Sequence, residues 1–533
     1  MAEPRQPTVA RSTALMALAT LGSRLTGLVR MLIMAWAIGS TLIADAYQIA
    51  NNLPTIIFDL VAGGLLNAAF VPLFLLQTEK YGKPGGDRYA SNLLSIVVIV
   101  MGLLALVLTL LPELFISTQL FTVDAANRPE VLALAVPFFR IFAIQIVFYG
   151  LGGVFTSLLN AKRVFFLPAI APMFNNLMVI AAFIAYAFIC QSDPALALTV
   201  LAVGTTLGVV AQFVVQIPAM IKQDIRLSFR LDLRDPAFIE TVKVGIPMII
   251  YVCGTFISFT FRNSLSIGTG VGGQATLMYA WVWFQLPHGI ITASLSRAIF
   301  TEMSHAFTRD DMGGFKHYFH QGLSGTLFII IPLAALMGVL AVPLMQVYVS
   351  GAFGHDNMLY AASILSAWVF ALPAYSLQLY LFNVYSSIRR FSLFAWICTA
   401  LCALQCALYY LLCHNPGIAL MGIPISDCVY YLLTTLILLA VLRKLIGSFG
   451  GRAALATTVK TLLATLVGAG AVGLVYHFLP FGSSRSAGVG TVALYGIIGL
   501  LIILGLSKLL RVPEMSIVDA LLRKVSARLR RAK

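Results

Sequence analysis

Long apolar segments follow one another along almost the whole chain, separated by short charged or Gly/Pro-containing connections. Each is longer than the roughly 18 residues that mark a membrane-spanning helix. Only 10% of the 533 residues are charged, against roughly 25% in soluble domains. These features exclude a water-soluble protein and predict an all-α, polytopic membrane protein.

The apolar runs predict fourteen spans, which we number in chain order. They lie at about 14–38, 42–77, 90–118, 131–160, 164–188, 195–221, 238–268, 274–306, 318–348, 358–386, 391–413, 418–444, 454–478 and 488–510. Because the count is even, the two ends of the chain are predicted to lie on the same side of the membrane.

The distribution of Lys and Arg predicts which side that is. Of 35 such residues, nearly all fall in connections or span ends that share one side if the spans alternate. Arg128 and Arg485 fall on the other side, and Arg24, Arg30, Arg140 and Arg262 lie within spans. The positive-inside rule therefore predicts cytoplasmic N- and C-termini. The net charge of +15 is explained by topology, and no nucleic-acid partner is expected.

A weak internal repeat predicts two lobes, although short matches of this kind also arise by chance. Leu53-Pro54 recurs as Leu286-Pro287, and Asn160 with Lys162-Arg163 recurs as Asn383 with Arg389-Arg390. The predicted divisions are an N-terminal lobe at 1–222, a C-terminal lobe at 223–447, spans 13 and 14 at 448–512, and a tail at 513–533. The tail has the composition of a basic amphipathic helix on the cytoplasmic leaflet or, equally, of a solvated extension.

Signatures of enzymes and metal sites are absent from the sequence. There is no GxxxxGK[ST] or HExxH motif and no loop long enough for a soluble catalytic domain. Cys398, Cys402 and Cys406 form a helical stripe without matching carboxylate or histidine partners, which favours helix packing over metal binding. We predict a transporter driven by an external gradient, with no metal or cofactor.

Two arginines in span 1 are the first candidates for substrate binding. A charged residue inside a membrane helix costs at least about 2.5 kcal/mol, so each requires a reason. Arg24 and Arg30 are about 9 Å apart along an ideal helix, and Gly27 between them permits a bend. Guanidinium groups bind phosphate oxygens in pairs, so the two suit a diphosphate. The alternative is internal ion pairing with Asp45 or Asp59.

Span 2 carries several polar residues beside a proline. Asn52 and Thr55 flank Pro54, and Asp59 follows one turn later. Because proline removes a backbone donor, the freed carbonyl must face protein or a wet cavity. The pattern predicts a water-filled vestibule beside span 1, with a plain packing kink as the alternative.

Span 7 offers a third buried cation, Arg262, next to Asn263. It is predicted to face a cavity between the lobes, with snorkelling to the outer interface as the alternative. His288 and Asp427 lie nearer the ends of their spans, where an interfacial position is expected.

Three stretches resemble one known family. They are Ser23-Arg24-x-x-Gly27-x-x-Arg30; Ala44-Asp45-Ala46 with Leu53-Pro54 and Ala69-Phe70-Val71-Pro72; and Asn160 followed by Phe165, Pro168-Ala169, Ala171-Pro172 and Asn176. Together with the span count, they are similar to the MurJ/MviN family. Its members are the proposed flippases for the peptidoglycan precursor lipid II within the multidrug/oligosaccharidyl-lipid/polysaccharide exporter superfamily.

The resemblance implies an alternating-access flippase in the bacterial cytoplasmic membrane. It would move an undecaprenyl-diphosphate-linked disaccharide-pentapeptide to the outer leaflet, with spans 13 and 14 forming a groove for the lipid tail. The implied partners are this precursor, membrane lipids and wall-synthesis proteins, and the drive would be the membrane potential or a monovalent cation. The expected cavity residues are Ser23, Arg24, Arg30, Asp45, Asn52, Thr55, Asp59 and Arg262, with hinges at Gly27, Pro54 and Pro287.

The chain also departs from the family pattern. Where many members have an Arg-Arg pair and a Glu after Leu-Pro-Asn, it has Thr55, Phe58 and Asp59, and where many have Asp-Arg in helix 8 it reads Trp281-Val282-Trp283. We therefore expect Arg262 to replace the missing third cation. Two other functions stay open at this stage: a flippase for another lipid-linked glycan, such as a teichoic acid, capsule or O-unit, and a non-transporting scaffold for wall synthesis.

Overall fold

The computed structural model describes residues 9–63, 70–479, 482, 484–516 and 518–519. These ranges are almost entirely helical, and their one β-type contact is an isolated bridge between Ser350 and Phe353. The predicted all-α class is confirmed. Most of the predicted tail at 513–533 lies outside the described residues.

Contacts among the described residues divide the chain into two units, the first running to Ala275 and including Ser350–Phe353. Its helices are α1 (Val9–Ile38), α2 (Leu42–Phe58), α3 (Val71–Leu110), α4 (Pro112–Ser117), α5 (Arg128–Phe142), α6 (Gln145–Ala161), α7 (Phe166–Ile189), α8 (Pro194–Val214), α9 (Ile217–Lys222) and α10 (Pro236–Gly268). Helix α11 (Gly273–Pro287) begins at the end of this unit.

The second unit holds the rest of α11 and the helices that follow. These are α12 (Ala293–Thr308), α13 (Met312–Val339), α14 (Ala341–Gln346), α15 (His355–Trp368), α16 (Leu372–Ser387), α17 (Phe391–Cys413), α18 (Gly422–Ile446), α19 (Gly451–Phe478) and α20 (Arg485–Leu509). Residues 223–275 thus group by contact with the N-terminal unit. The lobe boundary predicted at 222 stays a prediction, because a transporter lobe is defined by what moves together.

The described residues contain eleven helices long and apolar enough to span a membrane, or twelve if the pair α5 and α6, bent by 42°, counts as one span. The predicted spans that this count leaves out are 2 and 8. Each is broken by a π-helical segment after its proline, at Asp59–Gly63 in span 2 and at His288–Thr292 in span 8. The predicted total of fourteen is compatible with this arrangement and stays a prediction.

Local sequence explains where many helices begin. Side chains of Thr41, Asp193, Asp235, Asp311 and Ser484 accept hydrogen bonds from backbone N–H groups in the first turns of α2, α8, α10, α13 and α20. Proline stands in the first turn of α8 and α10, where its missing donor costs nothing. These caps satisfy N–H groups that an apolar surrounding would leave unpaired.

Small residues allow the helices of the second unit to pack closely. A Cβ on Gly468 of α19 would lie 2.4 Å from Ile503 of α20, and one on Gly499 of α20 would lie 2.5 Å from Leu336 of α13. Leu336, Val472 and Ile503 belong to one buried cluster. Close backbone approach through glycine is typical of helix pairs in lipid. It joins α19 and α20 to α13, whereas their predicted role as a lipid-tail groove stays a prediction.

Candidate transport site

Asp45 of α2 is fully buried and binds the first turn of α11. Its carboxylate accepts hydrogen bonds from the backbone N–H groups of Gly272 at 2.7 Å and Ala275 at 2.9 Å. A carboxylate at a helix N-terminus also interacts favourably with the helix dipole. The carboxylate predicted to face the cavity is therefore occupied by backbone donors in this structure.

Uncharged polar side chains continue this contact. Asn263 of α10 donates to Gln119 at 3.0 Å and accepts from Gln274 at 2.9 Å, and Ser266 donates to Gln274 at 2.7 Å. All four side chains are buried. With Asp45, they form what we call the Asp45 network: Asp45, Gln119, Asn263, Ser266 and Gln274. It ties the ends of α2, α4 and α10 to the start of α11.

Glycines bring the backbone close at the same end of the first unit. Gly272 has φ +82°, and a Cβ on it would lie 2.3 Å from the carbonyl oxygen of Ser40. Gly351 has φ +56°, and a Cβ there would lie 2.3 Å from the carbonyl oxygen of Trp36. The connections after α1, α10 and α14 therefore meet, as connections on one side of a membrane must.

Arg24 and Arg30 lie on α1, which is helical through Gly27. Arg24 is exposed and Arg30 is half-buried. Within the ranges the structure describes, neither forms an ion pair, and Asp45 and Asp59 form none. The alternative of internal ion pairing is therefore not realised in this structure, and both guanidinium groups are available to an anion.

Asn176 of α7 fixes the part of α1 that carries these arginines. Its Nδ2 donates to the carbonyl oxygen of Ser23 at 3.2 Å and lies 3.1 Å from Oγ1 of Thr26. A Cβ on Gly27 would lie 3.6 Å from the same nitrogen, an ordinary contact. Ser23 thus contributes a backbone acceptor, which anchors Arg24 one residue further on.

Arg30 shares its surroundings with polar groups of α2 and α6. The hydroxyl of Tyr149 of α6 lies near the side chain of Thr55, and the charges of Arg30 and Asp59 both act on it. The side-chain nitrogen of Asn52, one turn before Thr55, is buried and has no hydrogen-bond partner. Tyr149 thus lies near Thr55 and within the electrostatic reach of Arg30 and Asp59, while Asp45 binds the start of α11 instead.

A cavity of about 180 Å³ opens beside Tyr149. It is lined by Phe58, Phe148, Tyr149, Gly152, Gly153, Thr156, Ser157, Val209, Gln212, Phe213 and Gln216. Thr156 donates to Gln216 at 3.0 Å, and Asn175 donates to Gln212 at 3.2 Å. We call this space, which is lined by aromatic rings and uncharged polar groups, the amide cavity.

Neither the amide cavity nor most of the Asp45 network was predicted from the sequence. Gln212 and Gln216 are one turn apart in an otherwise apolar span, and that spacing was the signal that could have found them. Gln119 follows the end of α4 and Gln274 is the second residue of α11, and polar residues are common at helix ends. Only their partners show that they are buried and paired.

Arg262 is half-buried on α10 and belongs by contact to the same unit as Arg24 and Arg30. Its guanidinium carbon lies 4.6 Å from the ring centroid of Phe259, one turn earlier on the helix. Stacking on an aromatic ring is favourable for arginine. Its predicted role as a third cation of the site stays a prediction.

Asp427 is buried within the protein, and the interfacial depth expected for it stays a prediction. Its carboxylate accepts hydrogen bonds from Trp368 at 2.7 Å, from Gln405 at 2.7 Å and from the hydroxyl of Tyr409. The three donors come from α15 and α17, which explains how a carboxylate on α18 is tolerated there. The sequence position near a span end did not reveal these partners.

The fold is that of a known class of membrane transporters. One solved structure, titled "Lipid II flippase MurJ, inward closed conformation", matches with a TM-score of 0.75 and 22% identity, covering 93% of this chain and 98% of that one. A multidrug resistance MATE family transporter of the MOP superfamily in an inward-facing conformation matches with a TM-score of 0.67 and 15% identity, covering 81% and 98%. This chain is a multi-pass membrane protein with the fold of MOP-superfamily transporters.

Sequence comparison identifies the family. The profile described as "Lipid II flippase MurJ" matches residues 34–486. A "Probable lipid II flippase MurJ" of Rhizobium meliloti is 28% identical over 488 residues, covering 89% of this chain and 88% of the relative. A "Lipid II flippase MurJ" of Burkholderia cenocepacia is 27% identical over 331 residues, covering 61% and 63%. The chain belongs to the MurJ family, and it is a membrane transporter rather than an enzyme.

Replacing Asp45 by Ala should lower the stability of the protein by about 1–3 kcal/mol, because two buried N–H groups lose their acceptor. We expect a lower midpoint in thermal unfolding of the purified protein in detergent. Asp59→Ala is the matched control, since Asp59 is exposed on the next part of the same span and should leave the midpoint nearly unchanged. Equal midpoints for the two variants would contradict the structural role of Asp45.

Proposed function

We propose that this chain moves lipid II from the inner to the outer leaflet of the bacterial cytoplasmic membrane by alternating access. Membership of the MurJ family supports the substrate. The observation that carries the proposal is a pair of arginines on a membrane-spanning helix that form no ion pair within the described part of the chain. A charge placed there without a protein partner is suited to an anionic ligand that enters and leaves.

In this proposal Arg30 binds the diphosphate of the substrate, and the more exposed Arg24 forms a second contact with it. A guanidinium group holds two phosphate oxygens at once and stays charged at all physiological pH values. Tyr149 and Thr55 beside Arg30 add hydroxyl groups that can donate to further phosphate oxygens.

The amide cavity is proposed to bind the sugar that is bonded directly to the diphosphate. Sugars present hydroxyl and amide groups on their edges and apolar C–H faces. Gln212, Gln216 and Thr156 match the edges, and Phe148 and Phe213 match the faces. The volume of about 180 Å³ suits one pyranose ring, and the contact of Tyr149 with both regions supports a continuous path.

The Asp45 network is proposed to lie on the outer side and to act there as a gate. Passage of a headgroup to the outer leaflet requires the ends of α2 and α10 to separate from the start of α11. The network consists of hydrogen bonds that water can replace, so its rupture is less costly than separating a packed apolar contact of the same size. The carboxylate of Asp45 would then become free to meet solvent or substrate.

The proposed topology has both termini in the cytoplasm. It is supported by the distribution of Lys and Arg along the chain. It places the contacts of Gly272 and Gly351 on the outer side and that of Lys83 with Asp224 on the inner side. Membrane potential or a monovalent cation is the proposed drive, and wall-synthesis proteins are proposed partners.

Arg30→Ala should reduce transport of lipid II by about tenfold or more, since one charged hydrogen-bonded contact contributes about 1.5–3 kcal/mol. Arg30→Lys should recover part of it, because lysine keeps the charge but loses the planar fork. Transport is measured with reconstituted protein, and accumulation of the lipid-linked precursor is measured in depleted cells. Arg485→Ala, at an exposed helix end, is the control.

A correctly inserted Arg24→Ala, Arg30→Ala double variant that still transports at the wild-type rate would contradict diphosphate binding. If a teichoic-acid or capsule precursor accumulated instead of lipid II, the substrate would be that other lipid-linked glycan. Normal growth of the double variant with intact recruitment of wall-synthesis proteins would favour a scaffold.

Gly152→Leu should block the amide cavity and reduce transport at least tenfold, whereas Gly152→Ala should not. A Cβ at Gly152 lies 3.8 Å from Nε2 of Gln216, so alanine fits and a longer side chain enters the cavity. Both variants should bind undecaprenyl diphosphate, which lacks the sugar, with the affinity of the wild type. If Gly152→Leu transported lipid II at the wild-type rate, the sugar would not bind in the amide cavity and this assignment would be wrong.

Single cysteines test the topology in intact cells, in a background from which reactive native cysteines have been removed. A cysteine at Ser484 or at the exposed Val271 should react with an impermeant thiol reagent, and one within 224–235 should not. The reverse pattern would invert the proposed orientation.

A further inference from the structure

A second, strongly basic cavity lies away from the transport site. Its volume is about 400 Å³, and it forms where the α9–α10 connection crosses α3. Lys83 and Arg88 of α3 and Arg226 and Arg230 of the connection line it, with Asp87 as the one acidic residue of the lining. Nothing in the transport of lipid II accounts for this basic cavity.

The connection is held in place by specific hydrogen bonds to α3. The backbone N–H of Ser228 donates to Ser91 at 3.1 Å, and that of Arg230 donates to Ser95 at 3.0 Å. Asn92 is bonded twice to the backbone of Asp232, at 2.7 and 2.9 Å. An extended segment is thus fixed so that Arg226, Ser228 and Arg230, at every second position, line the cavity.

Two atoms in the cavity wall lack partners. Nε of Arg230 is a buried donor and Oδ1 of Asp87 is a buried acceptor, and neither has a hydrogen-bond partner. A phosphate oxygen would satisfy the first, and a headgroup hydroxyl such as that of glycerol would satisfy the second. The cavity therefore offers both a cationic and a hydroxyl-accepting position.

Carboxylates near the cavity offset part of its charge, and Arg88 is the lining cation that forms no ion pair among the described residues. Asp224 pairs with Lys83 and Arg226, and Asp232 lies 3.6 Å from Arg230, but neither acid lines the cavity. The two cations lower the pKa of Asp224 from its ordinary value, which reports the positive surroundings. Exposed ion pairs of this kind are weak, so the cations can turn to another anion.

The alternate residues of the connection are apolar and exposed. Phe229 is 78% exposed, Leu231 52% and Leu233 60%. An extended segment with cations on one face and large apolar side chains on the other suits a membrane interface, where the apolar face enters the lipid. A soluble phosphate would use the cavity but would leave this apolar row without a role.

We propose that the basic cavity binds the headgroup of an anionic phospholipid such as phosphatidylglycerol, while Phe229, Leu231 and Leu233 insert between the acyl chains. The phosphate contacts Arg88, Arg226 and Arg230, and the N-terminal end of the helical segment that follows the kink of α3 at Gly82 adds its favourable dipole. This site anchors the α9–α10 connection to the inner leaflet. It does not depend on the proposed transport mechanism.

Binding is tested on the purified full chain in neutral detergent by titrating phosphatidylglycerol and counting bound lipids by native mass spectrometry. Near an anionic surface each basic residue contributes about fivefold in affinity, so Arg226→Gln, Arg230→Gln should bind about 25-fold more weakly. Arg226→Lys, Arg230→Lys keeps the charges and should retain most of the affinity. Phosphatidylcholine should bind weakly to every variant.

The control for charge is Arg443→Gln, Lys444→Gln, which removes two cations from the end of α18 and should leave the tight phosphatidylglycerol site intact. The control for the lipid source is Phe229→Ser, Leu231→Ser, which should weaken phosphatidylglycerol binding without changing the binding of inorganic phosphate. Thermal unfolding of each variant verifies that it is folded.

Two results would overturn the proposal. One is equal loss of phosphatidylglycerol from the Arg226, Arg230 and the Arg443, Lys444 variants, which would mean binding by general surface charge. The other concerns the Phe229→Ser, Leu231→Ser variant. It would be contradictory if this variant bound phosphatidylglycerol as the wild type does and also bound inorganic phosphate as tightly as the wild type does. This second result would assign the cavity to a soluble phosphate compound.

Discussion

The pairing of buried polar groups is the constraint on which this structure depends, because lipid hydrocarbon offers no hydrogen bonds. Asp45 satisfies it with two backbone donors, and Asp427 satisfies it with three side-chain donors. Arg24 and Arg30 are the contrasting case, since they form no ion pair in the described part of the chain. The chain thus separates acids that hold helices together from cations that are left available for a ligand.

The fold class and part of the site follow from local sequence. Uninterrupted apolar runs can only be helices in a membrane, and Asp193 or Asp311 before a run indicates where a helix begins. Charged residues are costly in such runs, which is why Arg30 and Asp59 could be selected in advance, and the charges of both act on the hydroxyl of Tyr149. In these cases the position of a residue is determined by neighbours that lie within a few helical turns of it in the sequence.

The rest could not be predicted because the deciding partners are distant in sequence. Asp45 and Gly272 are 227 positions apart, and Asn263 and Gln119 are 144 apart. Composition describes how polar a position is but not which other position will meet it. The same reason applies to Asp427, because its location near a span end gave no indication of Trp368 and Gln405, which donate hydrogen bonds to it. A contact grouping that places residues up to Ala275 with the first unit is likewise a property of the whole packing.

The π-helical turns at Asp59–Gly63 and His288–Thr292 have a geometric consequence for motion. A π-helical turn accommodates one residue more than an α-helical turn. Because one residue of an α-helix corresponds to about 100° of rotation and 1.5 Å of rise, converting His288–Thr292 to a regular helix would swivel and shift α12 by those amounts. The chain would lose no helical turn in doing so. The extra residue in a π-helical turn therefore allows a helix to rotate and translate relative to its neighbours while every backbone N–H and C=O group keeps a hydrogen-bond partner.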